Sequence, residues 1–252
     1  LIFCVRGWVD VLYEDQGDTR RLHAGDCFIQ PPKIRHKVLH AADGIEVVEI
    51  GVPAEHVTEI DHSMELPTPH HRPDREWDGQ RFVHSQAKEG TFKPFRIPGF
   101  EARDTTINEN TKGVASVLVA KPDGGTTLWT RHQGDIVFNF VISGGMSLEG
   151  EGQEARLLTP GDAFVIPPNM ATRYSNPTDD LQMDACDVHL HAGDLPRRTG
   201  DLLGLEQLPV DYPAGHDHET PGRQDRTLGQ FERYVLEEDR GKLAKSVLFC
   251  GT

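Results

Sequence analysis

The sequence lacks any run of about 18 apolar residues, the length that a membrane-spanning helix needs. Basic residues are also scarce, with 26 Lys and Arg against 40 Asp and Glu, which gives a formal charge of −14. A surface with this excess of negative charge repels phosphate groups. We therefore expect neither membrane nor nucleic acid among the partners of this protein.

Cysteine is scarce too. The four cysteines (Cys4, Cys27, Cys186 and Cys250) are scattered and form no C-x-x-C pair. This usage is typical of reduced, buried thiols rather than of a disulfide framework or a zinc site. It favours a cytoplasmic location.

Helical periodicity is absent from most of the chain. Short alternating strands, punctuated by 25 glycines and 17 prolines, predict an all-β protein, and 252 residues suffice for one large or two small domains. Residues 53–95 are rich in proline and histidine, which predicts an extended linker. Residues 191–252 form a polar tail with one helical candidate at 228–238, where Phe231, Tyr234 and Val235 share a face.

One segment occurs twice. Gly-Asp-Cys-Phe-Ile-Gln-Pro-Pro at 25–32 returns as Gly-Asp-Ala-Phe-Val-Ile-Pro-Pro at 161–168. A Gly-Asp turn, a short strand and a Pro-Pro stop in the same frame indicate a duplicated unit. Strand patterning surrounds each copy, over residues 1–52 and 96–190, and predicts two antiparallel barrels or jelly rolls in tandem.

The repeats resemble the cupin superfamily, and their duplication resembles a bicupin with two double-stranded β-helix barrels. Cupins carry G-x5-H-x-H-x3-4-E-x6-G and then G-x5-P-x-G-x2-H-x3-N, whose three histidines and glutamate bind a divalent metal. In the second repeat the four ligand positions hold Thr130, His132, Val137 and Thr172. One imidazole, two hydroxyls and an isopropyl group cannot hold such an ion, so we predict no metal in this barrel.

These four residues, joined by Tyr174 on strand parity, are the predicted ligand pocket of the second barrel. His132 is interpreted as a pocket histidine without metal. It could donate a proton or contact a substrate beside the two threonines, or it could be a core residue hydrogen-bonded to one of them.

In the first repeat, Gly25, Pro31 and His36 match the second cupin motif. The resemblance implies that His36 is a metal ligand, for Fe, Mn or Ni. The alternative is a hydrogen-bonded histidine in a barrel that has lost its metal. Counting back by the family spacing places the other three ligands before Leu1, so we expect a further segment there. Residues 1–52 supply only the later strands of a barrel, which residues before Leu1, a swapped partner segment or the tail must complete.

Two functions compete. The first is a metal-dependent, dioxygenase-like enzyme that acts on a small organic acid or phenolic substrate, with its chemistry only in the N-terminal barrel. The second is a non-catalytic bicupin that binds a small molecule or serves a structural role, with degenerate metal sites. The sequence leaves open whether the protein is an enzyme. A homodimer is expected in either case, because cupin-like sheets commonly associate.

Overall fold

The computed structural model describes residues 1–51, 59–134, 136–188, 206–207, 227–236 and 243–251. In chain order the first elements are β1 (Ile2–Arg6), β2 (Trp8–Tyr13), β3 (Arg20–His23), β4 (Cys27–Ile29), β5 (His36–Ala41), β6 (Glu46–Gly51), β7 (Glu76–Trp77), β8 (Gln80–Arg81), β9 (Val83–Ser85) and a 3-10 turn at Ala87–Glu89. Next come β10 (Phe92–Pro94), β11 (Phe100–Asp104), the helix α1 (Ile107–Asn110), β12 (Ala115–Pro122), β13 (Thr130–Arg131), β14 (Ile136–Ser143), β15 (Met146–Gly150), β16 (Arg156–Leu158), β17 (Ala163–Ile166), β18 (Thr172–Ser175), β19 (Gln182–Val188), β20 (Glu206–Gln207), β21 (Thr227–Leu236) and β22 (Leu243–Gly251). The predicted all-β character is confirmed.

The chain divides into two compact units. The N-terminal unit comprises Leu1–Glu89 together with Arg223–Thr252, and the C-terminal unit comprises Gly90–Gly222. Among the described residues, no helix is long and apolar enough to cross a membrane.

The N-terminal unit contains a six-stranded sheet, in the order β22-β21-β6-β1-β4-β9, and a three-stranded sheet, β3-β2-β5. Buried residues from both sheets pack against one another, among them Cys4 of β1, Phe28 of β4, and Val11 and Tyr13 of β2. This shared core joins the two sheets of the unit face to face.

The C-terminal unit repeats the two-sheet arrangement with more strands. One sheet has the order β10-β11-β12-β19-β14-β17 and the other has the order β16-β15-β18-β13-β20. Its core again draws on both sheets, with Val137, Val141 and Met183 from the first and Met146 and Tyr174 from the second.

The two units share a strand order. The sequence β6-β1-β4 of the large N-terminal sheet corresponds to β19-β14-β17, and β3-β2-β5 corresponds to β16-β15-β18. Strand β21 pairs with β6 in the same way that β12 pairs with β19. Strand β13 lies beside β18 in the C-terminal unit, but no described strand takes the equivalent place beside β5. Six consecutive strands therefore match one for one in their order within the two sheets.

The repeated Gly-Asp segment forms the same turn in both units. The Asp26 carboxylate accepts a hydrogen bond from the backbone N–H of His23 at 2.9 Å, and Asp162 accepts the equivalent bond from Thr159 at 2.7 Å. The preceding glycines have positive φ, 86° at Gly25 and 92° at Gly161. The turn needs glycine for its backbone and aspartate for its hydrogen bond, which explains why both residues recur.

A second backbone feature is shared although its residues differ. Lys33 and Asn169, which stand where the cupin motif has glycine, have φ values of 66° and 64°. Left-handed geometry is unfavourable for a residue with a Cβ, and asparagine tolerates it better than lysine. The turn is therefore retained without its glycine.

The helix predicted at 228–238 is wrong, because strand β21 occupies Thr227–Leu236 and pairs with both β22 and β6. A short apolar pattern fits a helical or an extended period almost equally well. The neighbouring edge of β6 decides the outcome, since pairing with it satisfies the backbone groups of both strands.

The structure also differs from the predicted linker and tail. Within residues 53–95, β7 and β8 form a hairpin, and β9 joins the large N-terminal sheet by pairing with β4. Within residues 191–252, β21 and β22 belong to that same sheet rather than to a peripheral extension. Both segments take their strand structure from pairing with partners that are far away in the sequence. Local composition does not reveal these partners.

Candidate functional site

The five residues predicted to line the pocket of the second barrel lie around one cavity in the C-terminal unit. The strands bring them together: Thr130 of β13 pairs with Thr172 of β18, and Val137 of β14 pairs with Ile166 of β17. The cavity is lined by Arg96, Ile97, Thr130, Arg131, His132, Val137, Ile166, Thr172 and Tyr174. Its volume is about 10 Å³, roughly the space that one water molecule requires. An organic substrate does not fit in this space.

The His132 ring is buried against the backbone of β17. Its Nε2 lies 2.9 Å from the Ile166 carbonyl oxygen. Because a carbonyl only accepts hydrogen bonds, Nε2 carries the proton that it donates. This nitrogen is therefore engaged by the protein and is not presented to the cavity as a lone pair.

The residues around this cavity do not fit a divalent metal ion. Thr130 and Thr172 offer neutral hydroxyls, Val137 offers no donor atom, and one nitrogen of His132 is occupied by Ile166. Three or four nitrogen, carboxylate or thiolate donors are the usual requirement. We derive no chemical step through a metal in this unit.

A larger cleft of about 510 Å³ lies beside the small cavity and shares Ile166 and Thr172 with it. Its volume falls within the range of about 300–1,000 Å³ that is typical of small-molecule sites. The apolar side chains around it include Leu148, Leu158, Phe164 and Met170, and the polar ones are Gln153, Glu154, Arg156, Asp162 and Thr172. An apolar cleft with a few polar groups suits an organic ligand.

His36 lies in the N-terminal unit, where strands β2 and β5 place it beside a buried tyrosine. Tyr13 pairs with His36 across the two strands, and the rings stack with their centroids 5.6 Å apart. The Gln30 side-chain amide donates a hydrogen bond of 2.8 Å to the Tyr13 hydroxyl. Residues from β2, β5 and the end of β4 therefore converge on one point.

Glu49 adds a carboxylate to this group. It lies on the same face of β6 as Val47, which packs against the core of the N-terminal unit. Desolvation lowers the pKa of the His36 ring below its ordinary value, although part of this side chain is exposed, and burial raises the pKa of Tyr13. The charge of Glu49 is a smaller effect, which opposes the shift at His36 and adds to the shift at Tyr13.

We call Tyr13, Gln30, His36 and Glu49 the His36 group. Among the described residues, no set of three or more His, Cys, Asp or Glu side chains lies close enough to hold a metal ion. His36 and Glu49 could supply an imidazole and a carboxylate, two of the three or four donors that a mononuclear centre requires. The ligand role of His36 stays a prediction, and no step is derived through a metal here either.

Sequence reasoning missed Glu49 and the cleft. The alternation of Ile45, Val47 and Glu49 on one strand face was the available signal for Glu49, but charged residues at a strand end are usually solvated. The cleft has no sequence signal, because its walls come from β15, β16, β17 and the loop before β18.

Comparisons with known proteins identify one domain. Residues 117–189 match the family described as the cupin domain. No curated protein matches the chain.

Solved structures with a similar fold include a cupin-like protein from Thermotoga maritima, at 23% identity over 48% of this chain and 86% of that chain, with a TM-score of 0.37. KdgF from Halomonas shares 22% identity over 41% of this chain and 91% of that one, with a TM-score of 0.33. Pac13, described as a nucleoside dehydratase, shares 14% over 50% and 90%, with a TM-score of 0.36. These likenesses are too distant to carry an argument about function, and the family match is what assigns a cupin domain to residues 117–189 of this chain.

Proposed function

We propose that this protein is a bicupin that binds a small organic molecule in the cleft of its C-terminal unit. The observation that carries the proposal is the volume of the cleft, about 510 Å³ beside a cavity of about 10 Å³. The small cavity occupies the position that the family uses for metal, and its residues leave space only for water. The cleft beside it has both the size and the apolar lining of a ligand site.

Ligand-observed NMR tests this proposal with mixtures of small organic acids, phenols and neutral apolar compounds. At least one compound should bind, and Met170→Trp should abolish its binding because the larger side chain fills the cleft. Val38→Trp is the matched control, since Val38 is 58% exposed in the N-terminal unit. The proposal fails if no compound binds, or if Met170→Trp binds the same compounds as the unmodified protein.

The second candidate function is a metal-dependent, dioxygenase-like enzyme whose chemistry resides in the N-terminal unit. The convergence of His36 and Glu49 beside Tyr13 favours it, because imidazole and carboxylate are the donors that Fe, Mn and Ni centres use. A small organic acid or phenol would then be the substrate. The same group without metal would bind a polar ligand through hydrogen bonds.

Elemental analysis of the purified protein tests this second function. It predicts about one Fe, Mn or Ni per chain, and loss of that metal in His36→Ala. His40→Ala is the matched control, because His40 lies on the same strand but faces Asp10, at 4.0 Å, rather than the His36 group. Protein without metal after growth in metal-supplemented medium would reject the enzyme and leave the binding function standing.

A further inference from the structure

The cleft contains a cation that faces its apolar wall. Strand β16 pairs with β15 so that Arg156 lies opposite Leu148 and Leu158 lies opposite Met146. Leu158 and Met146 belong to the core of the C-terminal unit. Arg156 lies on the same strand face as Leu158, but its side chain is exposed, so its guanidinium lies at the open side of the cleft. Leu157 between them, 74% exposed, also lines the cleft.

Arg156 has no partner of opposite charge. Among the described residues, no carboxylate lies within ion-pair distance of its guanidinium. The Asp162 carboxylate, which also lines the cleft, accepts hydrogen bonds from the backbone N–H and the hydroxyl of Thr159. A guanidinium beside an apolar wall is well placed to receive a carboxylate in two parallel hydrogen bonds.

Glu154 is the competing charge at the cleft. It lies before β16, and its side chain is exposed, as that of Arg156 is. Arg156, unlike Glu154, lies directly opposite Leu148 in the pairing of β16 with β15. The cation is therefore the charge placed beside the apolar wall, which suits an apolar ligand with a negative group.

We propose that the cleft binds an organic anion with an apolar body, whose carboxylate pairs with Arg156 while its apolar part packs on Leu148, Phe164 and Met170. This proposal rests on the proposed function, since it assumes that the cleft is a ligand site. It goes further by naming the chemical class of the ligand and the residue that selects the charge.

A structural role for Arg156 makes a different prediction. Strand β16 is an edge of its sheet, and a charged side chain on an edge strand hinders pairing with a second copy of the chain. If that were its purpose, replacing Arg156 would promote self-association and would leave ligand binding unchanged.

Isothermal titration calorimetry with octanoate, 1-octanol and octyltrimethylammonium tests the proposal. These probes share a chain length and differ in charge. Octanoate should bind at one molecule per chain, and more tightly than the other two probes. Arg156→Gln should weaken octanoate binding about tenfold, which corresponds to losing a hydrogen-bonded charge pair. Arg156→Lys should weaken octanoate binding less than Arg156→Gln does, because lysine keeps the charge but cannot make the two parallel hydrogen bonds. Arg6→Gln, an equal change of charge in the other unit, should have no effect.

The outcomes separate this proposal from the function on which it rests. Equal binding of octanoate and 1-octanol, unaffected by Arg156→Gln, would overturn the anion assignment and support a ligand cleft. Preferential binding of octyltrimethylammonium, lost in Glu154→Gln, would assign the cleft to cations. If none of the three probes binds, the anion proposal fails. The ligand-observed NMR experiment with the Met170→Trp variant then decides whether the cleft binds small molecules.

Sedimentation velocity on the same variants completes the test. Self-association of Arg156→Gln with unchanged octanoate binding would show the structural role and overturn the proposal. A dimer that excludes octanoate in the unmodified protein would show that a second copy covers the cleft, with the same consequence.

Discussion

At the scale of single residues, the interior of the C-terminal unit contains a pair of polar side chains whose burial among apolar residues costs folding free energy. Asn139 is fully buried on β14, between Val137 and Val141 on the core-facing side. The Tyr174 hydroxyl donates to its Oδ1 at 3.4 Å. Among the described residues, the Asn139 amide nitrogen has no hydrogen-bond partner. A buried donor without a partner costs free energy. The hydrogen bond between Tyr174 and Asn139 therefore stabilises the folded state less than a fully paired buried group would.

A double-mutant cycle measures this coupling. Tyr174→Phe should lower the free energy of unfolding by about 1–2 kcal/mol, because it leaves the Asn139 carbonyl unpaired as well. Asn139→Leu should cost less, since it removes the unpaired donor together with the acceptor. The double variant should be less destabilised than the sum of the two. Urea unfolding checks the three variants, and strict additivity would contradict the coupling.

At the scale of elements, the turn after β2 is attached to the segment at 59–75 by charges. Arg35 donates to both oxygens of Glu14 at 3.0 Å, and Arg75 bridges Glu14 at 2.7 Å and Asp15 at 2.9 Å. The hydrogen bonds from Arg35 lower the pKa of Glu14 from its ordinary value of 4.5 to about 2, against the opposing effect of burial and with further help from Arg75. Ion pairs from Arg75 therefore attach this segment to the turn after β2.

This network predicts how stability depends on pH. Because folding lowers the pKa of Glu14, its contribution is present above about pH 4.5 and is lost as the pH falls towards about 2. Arg35 is 45% exposed, so solvent screening limits the contribution to about 1–2 kcal/mol. The difference in unfolding free energy between the unmodified protein and Glu14→Gln should shrink over this interval. Asp43→Asn, which removes one exposed carboxylate in the same unit, is the matched control.

The elements also show how far the sequence determines the fold. Strands β2 and β6 were predictable from their apolar pattern and flanking turns, although β2 is buried at nearly every position, and so was the repeated turn at Asp26 and Asp162. The resemblance to the cupin motifs placed Thr130 and Thr172 beside one cavity, and both line it. Strands β9 and β21 were not predictable, because β4 and β6 fix their conformation from distant parts of the chain. Tertiary pairing of this kind overrides local propensity.

At the scale of the whole molecule, the N-terminal unit depends on both ends of the chain. Strand β21 pairs with β6 along six residue pairs, from Gln230 with Gly51 to Val235 with Glu46. It stands where β12 stands in the C-terminal unit. The sheet of the N-terminal unit is therefore assembled from segments about 180 residues apart, which slows the search for the native pairing because long loops must close first.

The homodimer and the cytoplasmic location stay predictions.

Two truncations test this assembly. Deleting residues 223–252 removes β21 and leaves β6 as an exposed sheet edge, which should promote self-association. Amides of Glu46–Gly51 that donate to β21 should then exchange with solvent at least tenfold faster, because their hydrogen bonds are lost. Deleting only 243–252 is the matched control, since it removes β22 and keeps β21 against β6. Hydrogen exchange measured by mass spectrometry distinguishes the two forms, and equal protection of β6 in both would show that β21 does not hold this edge.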